Sequence, residues 1–283
     1  MSVSVWLVPP GAAGPVDQGP PSGSRAEALR LAEDLVAHVA LPPGSARFSG
    51  PVPPVLRPWD DIGSIPDMAV ASGWWTSAAS ARQVSTFASA HPAAGTRFFG
   101  GGSIGAPGQR VISVSDALTV APAGLASGQL NIFIAPGQQG GSLVLATATV
   151  QWYPPRSAAE YVTPEMRAVT VSVTIAGPRP RVVTRTFSSP AVAGRLAGLL
   201  NGMPAAPFWG PRSCAAVWAS YRVTFAAAPG APPGLIASTT MCGGVAVTAR
   251  GVAQPPLDDE TGALSRAAAG LLGLKSPFVP SAP

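Results

Sequence analysis

From Ala168 to Ala176 the chain reads AVTVSVTIA, with Val169, Val171, Val173 and Ile175 alternating with Thr170, Ser172 and Thr174. A period of two sorts those residues onto opposite faces of an extended strand, so the segment needs a core on one side and tolerates water on the other. Gly177–Pro178 turns the chain into a second strand, Arg181–Phe187. Ser189 and Pro190 then open a helix, because proline's missing N–H has no partner in a first helical turn. Val192, Leu196, Leu199 and Leu200 give that helix an apolar face, and Gly202 and Pro204 end it. Strands follow at Val217–Phe225, Leu235–Thr240 and Gly244–Arg250. The order ββαβββ specifies an antiparallel sheet covered by a helix. A last helix is expected over Thr261–Leu274, preceded and capped by Asp258–Asp259–Glu260.

The first half carries helices before strands. Ser24 and Glu27 fit a capping box, and Leu29, Leu31, Ala32, Leu35, Val36 and Val39 recur at helical spacing until Pro42–Pro43–Gly44. A Pro-rich loop from Pro51 to Pro66 holds Trp59, Asp60 and Asp61, and Trp74–Trp75 follows. A second helix is expected over Ala79–Ala90, then strands over Arg110–Ser115, Gln129–Ala135 and Leu143–Tyr153. His38–Gly50 echoes Ala90–Gly102, each running helix end, small-residue turn and Arg-Phe pair; a duplicated helix–turn–strand unit and chance in a biased composition both account for it. The expected class is α+β, with two packed units: residues 24–155, and 156–274 beyond the prolines at 154 and 155. Residues 1–23 and 275–283, rich in Gly, Pro and Ser, are expected to be a disordered arm and a loose tail.

Charge narrows the function. Of 283 residues only 11% are charged, and lysine occurs once, at Lys275. Residues 1–165 hold 8 Arg against 10 Asp or Glu, a net of −2; residues 166–283 hold 10 Lys or Arg against 3 acids, a net of +7. No acid falls between Met166 and Leu257. A basic, acid-free surface suits an anionic polymer or another protein, although the same charge also serves solubility. No aromatics interleave with the arginines as single-stranded nucleic-acid platforms require, which argues against nucleic acid. No apolar run is long enough to span a bilayer, and the residues after Met1 lack a charged export-signal start; taken as written, they fit the cytosol.

Catalytic motifs fail on context. Gly101–Gly105 matches G-x-S-x-G, and Gly100, Gly102 and Gly105 match G-x-G-x-x-G. Both need a following helix, to expose a serine or to place phosphate at a helix N-terminus, but Pro107–Gly108 and a strand come next. We expect a glycine-rich hairpin loop over 100–108, and no cofactor. His38 and His91 each end a helix, where imidazole bonds the last carbonyls; two lone histidines make no metal site. Asp60 and Asp61, with Asp67, are the acids from which a hydrolase-like site would be built, although turn formation in a Pro-rich loop is their default role. Trp59, Trp74 and Trp75 suit sugar or protein binding as well as packing, and Arg179, Arg181 and Arg185 suit anion binding as well as a solvated face.

Cys214 and Cys242 are the only cysteines. If Val217–Phe225 and Leu235–Thr240 pair, the returning chain brings the two together, and a disulfide is expected; two free buried thiols are the alternative. Such a bridge points outside the cytoplasm.

Ala168–Ala176, Leu196–Pro204 (LAGLLNGMP), Arg212–Cys214, Tyr221–Phe225 (YRVTF), Cys242–Val245 and the Trp74–Gly100 segment together resemble uncharacterised actinobacterial proteins, many predicted to be exported or lipid-anchored. The resemblance implies an envelope or extracytoplasmic setting and brings no catalytic residues. The expected function is a non-enzymatic extracytoplasmic binding or interaction protein; an enzyme using Asp60 or Asp61 and a secreted protease-inhibitor-like module are the alternatives.

Overall fold

A computed structural model describes residues 22–50, 53–60, 65–105, 110–137, 140–207, 219–240, 244–259 and 261–274, with only the backbone of Trp59 and Asp60. Among them are two six-stranded antiparallel sheets, each with two longer helices packed on one face, so the fold is α+β. No helix among the described residues is long and apolar enough to cross a membrane.

The N-terminal unit begins with α1 (Arg25–Ala37), whose Ser24–Glu27 capping box forms in full. Strand β1 (Ala46–Arg47), a single helical turn α2 (Arg57–Asp60) and β2 (Met68–Ser77) follow. Helix α3 (Ala81–Ala90) has a second capping box, Ser80–Gln83, that the sequence reading missed. A meander of β3 (Thr96–Ile104), β4 (Val111–Leu118), β5 (Leu125–Pro136) and β6 (Ser142–Trp152) completes the sheet in the order β1-β2-β6-β5-β4-β3. Helices α1 and α3 cover the face that carries Leu130, Ile132, Val144, Ala146, Ala148 and Val150. On the opposite face a small cluster of Leu56, Val111, Ala135 and Leu145 packs with Trp74 and Phe133.

Two expectations change here. The glycine-rich stretch is no loop as far as Ile104: Gly100–Ile104 pair residue by residue with Ser115–Val111, and backbone ladder bonds need no side chains. Trp74–Trp75 belongs to a ten-residue strand, paired along its length with β6. The helix-end echo is a shared local form. His38 and His91 are both C-cap residues, each donating from Nδ1 to the carbonyl four residues back, at 2.9 Å (Asp34) and 2.8 Å (Phe87). Each helix then turns into an edge strand, β1 or β3.

The C-terminal unit follows the predicted order and extends it. Strands β7 (Ala168–Ile175) and β8 (Arg181–Phe187), helix α4 (Pro190–Gly202), then β9 (Ala219–Ala226), β10 (Pro233–Thr239) and β11 (Gly244–Ala249) lead into a sixth strand, β12 (Val252–Asp258). Pro255 and Pro256 hid β12 from the sequence reading; proline is tolerated there because β12 is an edge. Helix α5 (Ala263–Leu272) ends the described chain, and the sheet order is β12-β11-β10-β9-β7-β8. Val169, Val171, Val173, Tyr221, Val223, Phe225, Leu235 and Val247 pack under α4 and α5 with Leu196, Leu200 and Leu264. Ser189 stands at the N-cap of α4, but its side chain makes no capping bond. Both units run hairpin, helix and four-stranded meander. They differ in where the hairpin joins: β2 beside the last meander strand, β7 beside the first.

The residues between the units form a buried clamp. Arg156 and Glu160 are ion-paired at 3.4 Å with side chains 2% and 1% exposed. Arg156 Nη1 donates to the carbonyls of Leu200, Asn201 and Met203 at the C-terminal end of α4, and Nη2 donates to Glu160 O. Its guanidinium lies 4.2 Å from the Tyr161 ring centre. Asn201 completes the clamp by bonding both the N–H and the C=O of Val162.

Candidate functional site

Among the described residues, the C-terminal helix layer carries an open concavity. On α4 the apolar side (Ala193, Leu196, Leu200) faces the sheet, which leaves Arg195 and Gly198 outward. On α5 Leu264, Ala268 and Ala269 are buried, which leaves Arg266 and Gly270 outward. Between the helices lies a groove of about 590 Å³, lined by Arg195, Gly198, Leu199, Arg266, Ala267 and Gly270. Leu199 and Ala267, half-buried against the core, form its floor. A Cβ at Gly198 or Gly270 would meet nothing within 4 Å, so the absent side chains widen the groove. Both charged residues in the lining are arginines. Arg266 is oriented by donating to Thr261 O.

A second cavity of about 430 Å³ shares Gly198 and Leu199 with the first and continues past Met203 to Tyr153, Asp258, Asp259 and Thr261. Asp259 accepts from the Ala263 and Leu264 amides at 2.7 and 3.0 Å, so it caps α5 as the sequence suggested. Burial pushes its carboxyl above the usual range, against the pull of those two amides, Arg266 and Thr261. Asp258 accepts from the Tyr153 hydroxyl at 3.3 Å, joining the end of the first unit to the second. The two cavities together carry arginines at one end and the Asp258 and Asp259 carboxyls at the other, where Asp259 is engaged as a cap.

The residues singled out from sequence scatter. Successive side chains of a strand point to opposite faces, so Trp74 packs on the Leu56 side while Trp75 packs with the α1–α3 core, 5.6 Å under the Arg47 guanidinium. The two do not make one aromatic patch. Trp59 and Asp60 lie in α2, with side chains outside the described residues, as Asp61 is entirely. Arg181 and Arg185 share a face of β8, and Arg179 lies in the turn before it. Arg185 is tied down: it donates to Leu271 O at 3.2 Å, at the C-terminal end of α5. Cys214 and Cys242 lie outside the described residues, but the pairing they depend on is present: β9 and β10 are antiparallel neighbours, with Arg222 opposite Ser238. The groove arginines Arg195 and Arg266 were not singled out. Each looks like an ordinary solvent-facing helix residue until α4 and α5 lie side by side.

One buried carboxyl stands apart. Asp116 on β4 is 1% exposed; one oxygen accepts from Ala93 N at 3.3 Å, and Oδ1 has no hydrogen-bond partner among the described residues. Burial raises its pKa, with the Ala93 amide opposing. An acid whose folded pKa is raised binds its proton more tightly when folded. Its favourable contribution is therefore complete below the unfolded value near 3.9 and is lost as pH rises through the folded value. Asp259 acts in the same direction. Stability should fall as pH rises out of the acid range. Asp116→Asn should flatten that slope to the Asp259 share and gain about 1 kcal/mol at pH 8, the scale of one unmade hydrogen bond. Urea unfolding at pH 4, 6 and 8 measures this; an unchanged slope in the variant refutes it.

Among the described residues no three of His, Cys, Asp and Glu converge as a metal site. No protein-family model matches the chain, and no curated protein or solved structure matches it significantly.

Proposed function

We propose that the chain is a non-enzymatic binding protein whose C-terminal unit docks an acidic segment of a partner protein in the α4–α5 groove. The observation that carries this is the lining itself: two arginines flank an apolar floor, and no carboxylate sits among them. An apolar floor favours an amphipathic polypeptide over a uniformly polar polymer, and the flanking charges select its sign. The acid-free run from Met166 to Leu257 extends the same preference on the α4 side, and Asp258 and Asp259 bound the adjoining cavity. An extracytoplasmic setting belongs to this reading. It is supported by the β9–β10 pairing, which brings the chain ends leading to Cys214 and Cys242 to one end of the sheet, and it proposes a disulfide between them.

Poly-L-glutamate and heparin serve as probes. The full chain should bind poly-L-glutamate with an affinity that falls as salt rises. Arg195→Glu with Arg266→Glu should weaken binding about tenfold or more, the sum of two partly desolvated pairs, while Arg179→Glu with Arg181→Glu should change it far less. Equal losses in the two double variants, or binding to heparin alone, would count against the groove.

A further inference from the structure

Each six-stranded sheet has two edges, and an edge strand presents unpaired N–H and C=O groups that invite another strand. Three of the four edges are blunted. Strand β1 is two residues long. Strand β12 carries Pro255 and Pro256. Strand β8 carries Arg181 and Arg185. The fourth edge, β3, has nine residues, no proline and a single charge, Arg97. It also concentrates exposed apolar surface: Phe98, Phe99 and Ile104 are 44%, 68% and 42% exposed.

The glycines of β3 lack a full explanation within the monomer. A Cβ at Gly101 would come within 2.9 Å of Ser113 O, so that glycine is required by its own sheet. A Cβ at Gly100 would meet nothing within 4 Å, and one at Gly102 only Ser113 Oγ at 3.8 Å. None of the three has a left-handed φ. Glycine in a strand interior marks a bulge, as beside Gly100, or a place where another backbone approaches closely, which is the reading left for Gly102.

We propose that β3 is a self-association edge: two copies of the chain pair β3 against β3, antiparallel about a twofold axis in the Gly100–Gly102 run, giving a continuous sheet across the dimer. The strand is self-complementary in the way a twofold interface demands. With the axis on Gly100, Phe98 and Phe99, which flank the bulge, lie near Gly101 and Gly102 of the other copy, so each copy's aromatics cover the other's glycines. With the axis on Gly101, Phe98 meets Ile104. In either register Arg97 faces Ser103 or Gly105, never its own copy. The bulge between Phe98 and Gly100 leaves Phe99 as the extra residue and does not interrupt the regular pairing of Gly100–Ile104 with β4.

Sedimentation equilibrium of the full chain tests this. The expected result is a reversible monomer–dimer equilibrium in the micromolar range. Phe99→Lys and Ile104→Lys, both at exposed positions, should raise the dimer dissociation constant about 30-fold or more, the scale of losing a hot-spot side chain. Their far-ultraviolet circular dichroism and unfolding midpoint at low concentration should match the wild type. A chain that stays monomeric up to several hundred micromolar overturns the proposal. So does a dimer that both lysine variants leave intact.

Discussion

Arg156→Ala is expected to destabilise the C-terminal unit by about 3–5 kcal/mol, the cost of leaving one partner of a buried ion pair uncompensated. Truncation removes the donor to the three carbonyls that end α4, and it strands the Glu160 carboxylate in a site that is 1% exposed. Burial lowers the pKa of the guanidinium, with the Glu160 carboxylate opposing, yet it starts so high that the group stays charged at neutral pH. Arg156→Lys should recover only part of the loss, because a single ammonium cannot serve the Nη1 carbonyls, Glu160 O and the Tyr161 face together. Calorimetry of the full chain should show the C-terminal transition moving down. If the alanine variant unfolds like the wild type, the clamp contributes nothing and the groove needs another support.

The second large effect concerns the proposed bridge between Cys214 and Cys242. Its loss should cost about 3–4 kcal/mol in the chain-entropy account for a loop of that length. Protein purified without reductant should be lighter by two hydrogens than its reduced form, and Cys214→Ser and Cys242→Ser should each lower the unfolding midpoint about equally. Thiol reagent that titrates both cysteines in native, unreduced protein would end the disulfide reading and remove its support for an extracytoplasmic setting.

Much of the fold was legible because its signals are local. The Val/Thr alternation set β7, Pro190 set the start of α4, Ser24 with Glu27 set the start of α1, and the two histidines marked helix ends. Strands without local signals were missed or cut short. Strand β12 carries two prolines, β2 lacks alternation, and the Gly100–Gly102 run reads as a loop; all three are held by ladder bonds to neighbours. The candidate site was less legible still. Arg195 and Arg266 come from helices separated in sequence by a four-strand meander, and nothing in either helix indicates the other. Trp74 and Trp75, adjacent in sequence, were separated by the pleat.

By itself the sequence determined the α+β class, the order of the second unit's elements from β7 to β11 and the acid-free basic half, because periodicity, caps and charge are properties of short windows and of composition. Only the tertiary structure decided which charges face a cavity, which carboxyls lose their water and which strand is left as an unguarded edge. Those depend on contacts between segments far apart in the chain, where burial and pairing rather than residue type set what a side chain can do.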